Sequence, residues 1–221
     1  MLKVIVFGIR QIADVAHFYL THDSPYEVAA FTVDREFCIA DQHLGLPVVP
    51  FEVLEETYPP SEFAMFIAMS YKSANRARTQ KYQQAKDKGY TLVSYVSSKA
   101  LVWPGLVCGD NCFILENNVI QPFVQIGNNV TLWSGNHIGH HSAVGDNCFV
   151  SSHVVVSGNV TIESNCFLGV NATLRDGITI AQDCVVGAGA LILRSTKPNS
   201  VYVGNSARLL PMASDELPEL L

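Results

Sequence analysis

At 221 residues the chain has room for one or two domains. Its 48% apolar content supplies a core, and a net charge of −6 argues against nucleic acid or an acidic membrane surface as main partner. No apolar run approaches the roughly 18 residues of a membrane span. Leu2 to Phe7 (LKVIVF) reads as a buried strand ending at Gly8. Met1 to Gln11 lacks the charged start and cleavage site of a signal peptide, so the expected compartment is the cytoplasm. Ile12 to Leu20 reads as a helix with Ile12, Val15, Ala16 and Tyr19 on one face. Val28 to Val33 is a second strand and ends at Asp34. An extended piece from Gly45 precedes a helix near Phe51 to Tyr58, broken by Pro59-Pro60. Phe63 to Met69 is a third strand, Ser73 to Lys88 a helix closed by Gly89, and Tyr90 to Tyr95 a fourth strand. Strands alternating with helices imply a small parallel α/β sheet over residues 1–95.

From Val102 the pattern changes. Every sixth residue up to Ile192 is aliphatic, apart from the small apolar Cys108, with no insertion or deletion. A strict hexapeptide period is that of a β-helix, each side of a prism being one short strand. Three residues after each inward position, from Gly105 to Gly189, stand fifteen residues of which fourteen are Gly, Asn, Asp or His. Those types tolerate positive φ, so a bend is expected every six residues, and three bends close a coil of eighteen. Phe123 is the exception in that row. Residues 96–195 thus form the prism, and 196–221 a terminal extension that covers its open end. Pro211 to Leu221 reads as an acidic tail or a short helix.

The six cysteines fit the same frame. Cys108 is inward, and Cys112, Cys148, Cys166 and Cys184 each stand two residues before an inward position, where small residues fit. There is no CxxC pair and no metal-ligand spacing. Four of the seven histidines lie in the prism. His141 and His153 occupy the positive-φ row, and His137 precedes the inward Ile138. Only His140 occupies a row that the repeat does not constrain, and one coil above it stands Gly158. An imidazole is a natural general base near neutral pH, and a bare backbone corner beside it offers an N–H to a developing oxyanion. Three-histidine zinc sites occur on such prisms, but the histidine spacings of three, one and twelve do not suit one, so no metal is expected. In the first domain, Gly8 lies at a strand-to-helix turn that either holds a phosphate or simply turns. Asp34, at the end of the second strand, either meets a ribose or base or caps the surface.

These features together resemble the bacterial hexapeptide-repeat sugar acetyltransferases, both the nucleotide-amino-sugar N-acetyltransferases and the sialic acid O-acetyltransferases. The resemblance rests on the short domain with Gly8, the hexads from 102 to 192, IGHHSAVGDN, FLGVNATLRDGITI, VVGAGALIL and the closing VGNSARLL. It implies a left-handed β-helix, a homotrimer with active sites between prisms, acetyl-CoA as co-substrate and a Rossmann-like first domain that grips a nucleotide, a UDP group in the first instance. It puts the catalytic base at His140 and the oxyanion donor near Gly158. It places Gly169, Val170, Gly187 and Ala188 along the CoA chain, with Arg194, Lys197 or Arg208 at its phosphates. Three departures stand out. Gly139 replaces the glutamate before the histidine, and Phe149 a second histidine. GIRQIA replaces a glycine-rich GxGGHG, which leaves Arg10 to pair with a diphosphate. Glu116 is one candidate for the missing carboxylate.

The function implied is N-acetylation of an amino group on a nucleotide-linked, UDP in the first instance, deoxyamino sugar for surface-glycan biosynthesis. The alternatives are O-acetylation of a free sugar such as sialic acid, and a non-catalytic trimeric sugar-binding scaffold. No nucleic-acid or membrane partner is implied.

Overall fold

The structure, a computed structural model, describes residues 1–71 and 75–206. The first part is a five-stranded sheet. Strand β1 (Leu2–Phe7) is central and parallel to both β2 (Tyr26–Val33) and β5 (Ala64–Ile67). On the far side β2 pairs in parallel with β4 (Leu46–Pro50), and a two-residue strand β3 (Gln42–His43) closes that edge antiparallel. Helix α1 (Gln11–His22) follows β1, a turn at Phe51–Val53 runs into α2 (Leu54–Thr57), and α3 (Arg76–Asp87) follows β5. The chain order reverses at β1, which puts the switch point of the sheet between the ends of β1 and β5. The antiparallel β3 lies too close to its turn to show any alternation in sequence. The expected fourth strand is largely lost to the next unit. After one bridge from Leu92 to Met65, Tyr95–Val96 pairs with Phe113–Ile114 instead. The expected start of α3 at Ser73 lies outside the described residues.

From Tyr95 the chain winds as a left-handed β-helix of two-residue strands stacked at intervals of eighteen residues. Face one has six strands, from Leu101–Val102 to Leu191–Ile192, and face two has five, from Val107–Cys108 to Thr179–Ile180. Face three has seven, from Tyr95–Val96 to Val201–Tyr202. All fifteen expected bends have positive φ, Phe123 included at +69°. The inward row is buried from Ile114 to Ile192, while Val102 and Cys108 at the open start are only half-buried. Cys112, Cys148, Cys166 and Cys184 are buried free thiols in the row beside it. At the other end Val201–Tyr202 extends face three by one strand, sixteen rather than eighteen residues after Val185–Val186, and the tail from 207 lies outside the described residues.

The two parts are joined along face three and its two bordering edges. Phe113, Leu115 and Tyr95 belong to the same apolar cluster as β1, β2 and α1. On one edge the side-chain amides of Asn111, Asn129 and Asn147 form a ladder at 2.8 Å steps. The Ile67 N–H donates into the lower end of that ladder. Tyr82 and Lys86 of α3 both donate to Asp110. Asp23, just past α1, accepts from the Tyr95 hydroxyl, the Ser97 hydroxyl and the Ser98 N–H. Those bonds, chiefly from Ser98 and Tyr95, hold its carboxyl down at about 2. Phe149, where the family pattern has a second histidine, serves this docking. Its ring faces Tyr71 at 5.0 Å and lies under the Arg78 guanidinium at 5.6 Å.

Candidate active site

His140 stands on the edge between faces one and two, the one edge that no described side chain of the first domain reaches. The eighteen-residue step puts Gly158, Asp176 and Arg194 above it in one row. His140 is exposed, and its N–H donates to the Gln121 side-chain oxygen at 2.8 Å. Its Nδ1 lies 3.2 Å from Nδ1 of His141, so one of the two carries the shared proton. His141 is held in turn. Its φ is +57°, and its ring packs against Phe123 with centroids 4.6 Å apart. Phe123 is 72% exposed in a conformation costly for a bulky residue, next to the histidine pair.

The imidazole of His140 lies over the bare backbone of Gly158. A Cβ there would stand 2.6 Å from Cε1 and 2.7 Å from Nε2 of the ring. Glycine is needed at 158 for space rather than for φ. The Gly158 N–H has no hydrogen-bond partner among the described residues, which leaves it free to meet an oxyanion. With Nδ1 engaged by His141, Nε2 is the ring nitrogen that faces Gly158.

The other expected residues are distributed over different edges. Gly169, Val170, Gly187 and Ala188 lie on the edge between faces three and one, with Gly169 packed so closely that a Cβ would meet Ala188 N at 2.5 Å. Arg194 is exposed on the His140 edge, three coils above it, and Lys197 is exposed in the loop beyond the last coil. Arg208 lies outside the described residues. Within one chain, the width of face one separates the four glycine-rich-corner residues from His140. Glu116 also lies on the edge between faces three and one. It accepts from Tyr19 at 2.6 Å and Ser134 at 2.7 Å, and those bonds hold its carboxyl below the usual range against the opposing effect of burial. It is therefore not the partner of His140 in the same chain. Among the described residues no three His, Cys, Asp or Glu gather as metal ligands, and no helix is long and apolar enough to cross a membrane.

In the first domain, Gly8 brings the ends of β1 and β5 together: a Cβ would stand 2.9 Å from the Ala68 carbonyl oxygen. Its own N–H is bonded to Thr32 O at 2.8 Å, so the open amides of this turn are those of the first turn of α1, behind the exposed Arg10. Asp34 borders a groove of about 1130 Å³ together with Phe37, Phe51, Met69, Lys81 and Lys88. Lys81 donates to Asp34 at 2.5 Å and to Gln84 at 2.6 Å, with the Phe51 ring 4.6 Å away. Gly8 and Arg10 are not in the groove wall. Two groups escaped the sequence reading. Lys81 had no signal on a polar helix. Asp176 did have one, since a second eighteen-residue step from His140 lands on it.

Comparison with known proteins covers both parts. The β-helix matches the family models described as bacterial transferase hexapeptide (six repeats), at residues 105–139 and 125–158, and hexapeptide repeat of succinyl-transferase, at 159–194. PerB from Caulobacter crescentus, solved in complex with CoA and GDP-perosamine, is 26% identical over 91% of this chain and 94% of that chain, with a TM-score of 0.79. A variant of perosamine N-acetyltransferase from Caulobacter crescentus, with the same two ligands, is 24% identical over 91% and 93%, with a TM-score of 0.81. The acetyltransferase domain of PglB from Neisseria gonorrhoeae shares the fold at 21% identity over 95% and 100%, with a TM-score of 0.80. No curated protein matches the chain significantly. The chain thus carries the hexapeptide repeat of bacterial transferases over residues 105–194, and its two-part fold is that of the sugar N-acetyltransferase structures named above.

Proposed function

We propose that the chain transfers the acetyl group of acetyl-CoA to an amino group on a nucleotide-linked deoxyamino sugar, for surface-glycan biosynthesis. The observation that carries this reading is the His140 imidazole lying over Gly158, with Nε2 facing it and the Gly158 N–H without a hydrogen-bond partner among the described residues. In this reading His140 takes the proton from the attacking amine, directly or through water. His141 holds the ring through Nδ1, and the Gly158 N–H stabilises the tetrahedral oxyanion.

The same geometry supports a homotrimer. The first domain sits on face three, away from the His140 edge, so a nucleotide held by one chain reaches a base only on a neighbour. A neighbour would also bring its Gly169, Val170, Gly187 and Ala188 against this chain's Arg194 and Lys197. In this reading the CoA chain lies between two prisms, with its phosphates at the cations. The Asp34–Lys81 groove is assigned to the nucleotide, and Arg10 to its diphosphate. PerB and the perosamine enzyme were solved with CoA and a GDP-linked amino sugar, which supports this class of substrate and sets guanine beside uracil as the base to test.

Calorimetry with UDP, CDP and GDP tests the nucleotide half of the reading. One of the three is expected to bind. The engaged Gly8 amide and the absent glycine-rich loop favour a free-sugar O-acetyltransferase as second reading, and no binding by any of the three would favour it over ours.

A further inference from the structure

The family pattern has a carboxylate next to the catalytic histidine, and at position 139 this chain cannot have one. A Cβ on Gly139 would stand 2.5 Å from the Ser157 carbonyl carbon and 2.6 Å from Gly158 N, so the coil above closes that position to any side chain. One coil above Gly158, however, Oδ1 of Asp176 comes within 2.9 Å of the point where a Gly158 Cβ would stand. His140 Nε2 is 2.7 Å from that same point, which puts the carboxylate and the imidazole within about 6 Å of each other. The two share no direct hydrogen bond or ion pair. Two hydrogen bonds of about 2.8 Å each span such a gap with a single atom between them.

We propose that Asp176 receives the acceptor's ammonium group, holding its nitrogen between the carboxylate and His140 Nε2. This rests on the N-acetyltransferase reading and narrows it to acceptors that arrive with a positive charge. Asp176 is exposed, and no described side chain pairs with it. The charged and titratable groups around it are few. His140 lies below in its row, with His141 beside that, and Arg194 lies in the coil above. Arg175, its chain neighbour, donates to Leu193 O.

An amine flanked by electron-withdrawing carbons titrates near the α-amino range, about 7.7–8.0, and is mainly ammonium at neutral pH. Hydrogen bonds between an ammonium and a carboxylate are about twice as strong as neutral ones, so the site favours an amine over a hydroxyl. His140 Nε2 takes one proton from the bound ammonium and passes it to solvent. The free amine forms the C–N bond to the thioester carbon. His140 then takes the second proton from that nitrogen and gives it to the thiolate as the C–S bond breaks. The products are the amide, CoA thiol and one proton in solution. Asp176 exchanges no proton in these steps.

The test is Asp176→Asn, with Asp176→Ser as second variant, in the full chain with acetyl-CoA and a nucleotide-linked amino sugar that the wild type turns over. KM for the amine is expected to rise about tenfold or more at neutral pH, the magnitude of one charged hydrogen bond. KM for acetyl-CoA should stay within about twofold. The amine penalty should shrink as pH rises from about 7 to 9.5, because the acceptor then loses its charge. A merely structural role would give a loss of equal size at every pH. That result, or an amine KM within about twofold of wild type for both variants, overturns the proposal alone. A wild type that acetylates hydroxyls and no amine overturns both the proposal and the reading it rests on.

Discussion

His140→Ala is expected to lower turnover by about a hundredfold or more, the range of general-base catalysis. The imidazole is exposed on the prism edge and supports no buried neighbour, so the variant should fold and assemble as the wild type does. What the variant keeps is the Gly158 N–H and the positioning of both substrates. KM for acetyl-CoA should therefore change little, while kcat carries the loss, as for an interaction made in the transition state. His141→Ala should cost less, since it loosens the ring of His140 without removing it. Steady-state kinetics on both variants settles the order. Turnover near wild type in His140→Ala would reject His140 as the base.

Arg78→Ala is expected to cost about 3–5 kcal/mol of stability and to undock the first domain. Arg78 is 1% exposed, and burial pushes its guanidinium down to about 10, still positive at neutral pH. It reaches from α3 into face three, donating to the Thr131 hydroxyl and to the carbonyls of Asn147 and Cys148, at 3.1 and 3.0 Å. Alanine removes the guanidinium from the Thr131 hydroxyl and the Asn147 carbonyl, leaves Cys148 O with the Thr131 N–H alone, and opens a cavity over Phe149. Lysine keeps the charge but not the planar fork that serves three acceptors at once, so it should recover only part of the loss. The β-helix has its own core and should survive. Thermal unfolding followed by limited proteolysis should show a new early transition, with cleavage confined to the residues before Tyr95. A single transition at the wild-type temperature would contradict this.

The two variants mark what could and could not be read from the residues alone. The prism was legible because its backbone repeats. Aliphatics recur where strands face inward, and Gly, Asn, Asp and His recur where φ turns positive. The repeat singled out His140 because nothing in it calls for a histidine there. The same arithmetic, carried one more coil, reaches Asp176. Glu116 was a poorer candidate on the same count. It is twenty-four residues from His140, one coil and one face away, so it lies on another edge. Arg78 left no trace in the sequence. Its partners are mostly backbone carbonyls, which every residue carries, and a polar helix such as α3 reads as a solvent face until its neighbour is known. The Lys81–Asp34 pair escaped for the same reason: it joins two elements 47 positions apart.

The identity of the acceptor is tested most directly by thiol release from acetyl-CoA against a panel of nucleotide-linked 3- and 4-amino sugars, with free sialic acid alongside. CoA thiol release is expected with at least one nucleotide-linked amino sugar, lowered about a hundredfold or more in His140→Ala, and none above background with sialic acid. Release with sialic acid alone, or with no acceptor in the panel, would contradict it.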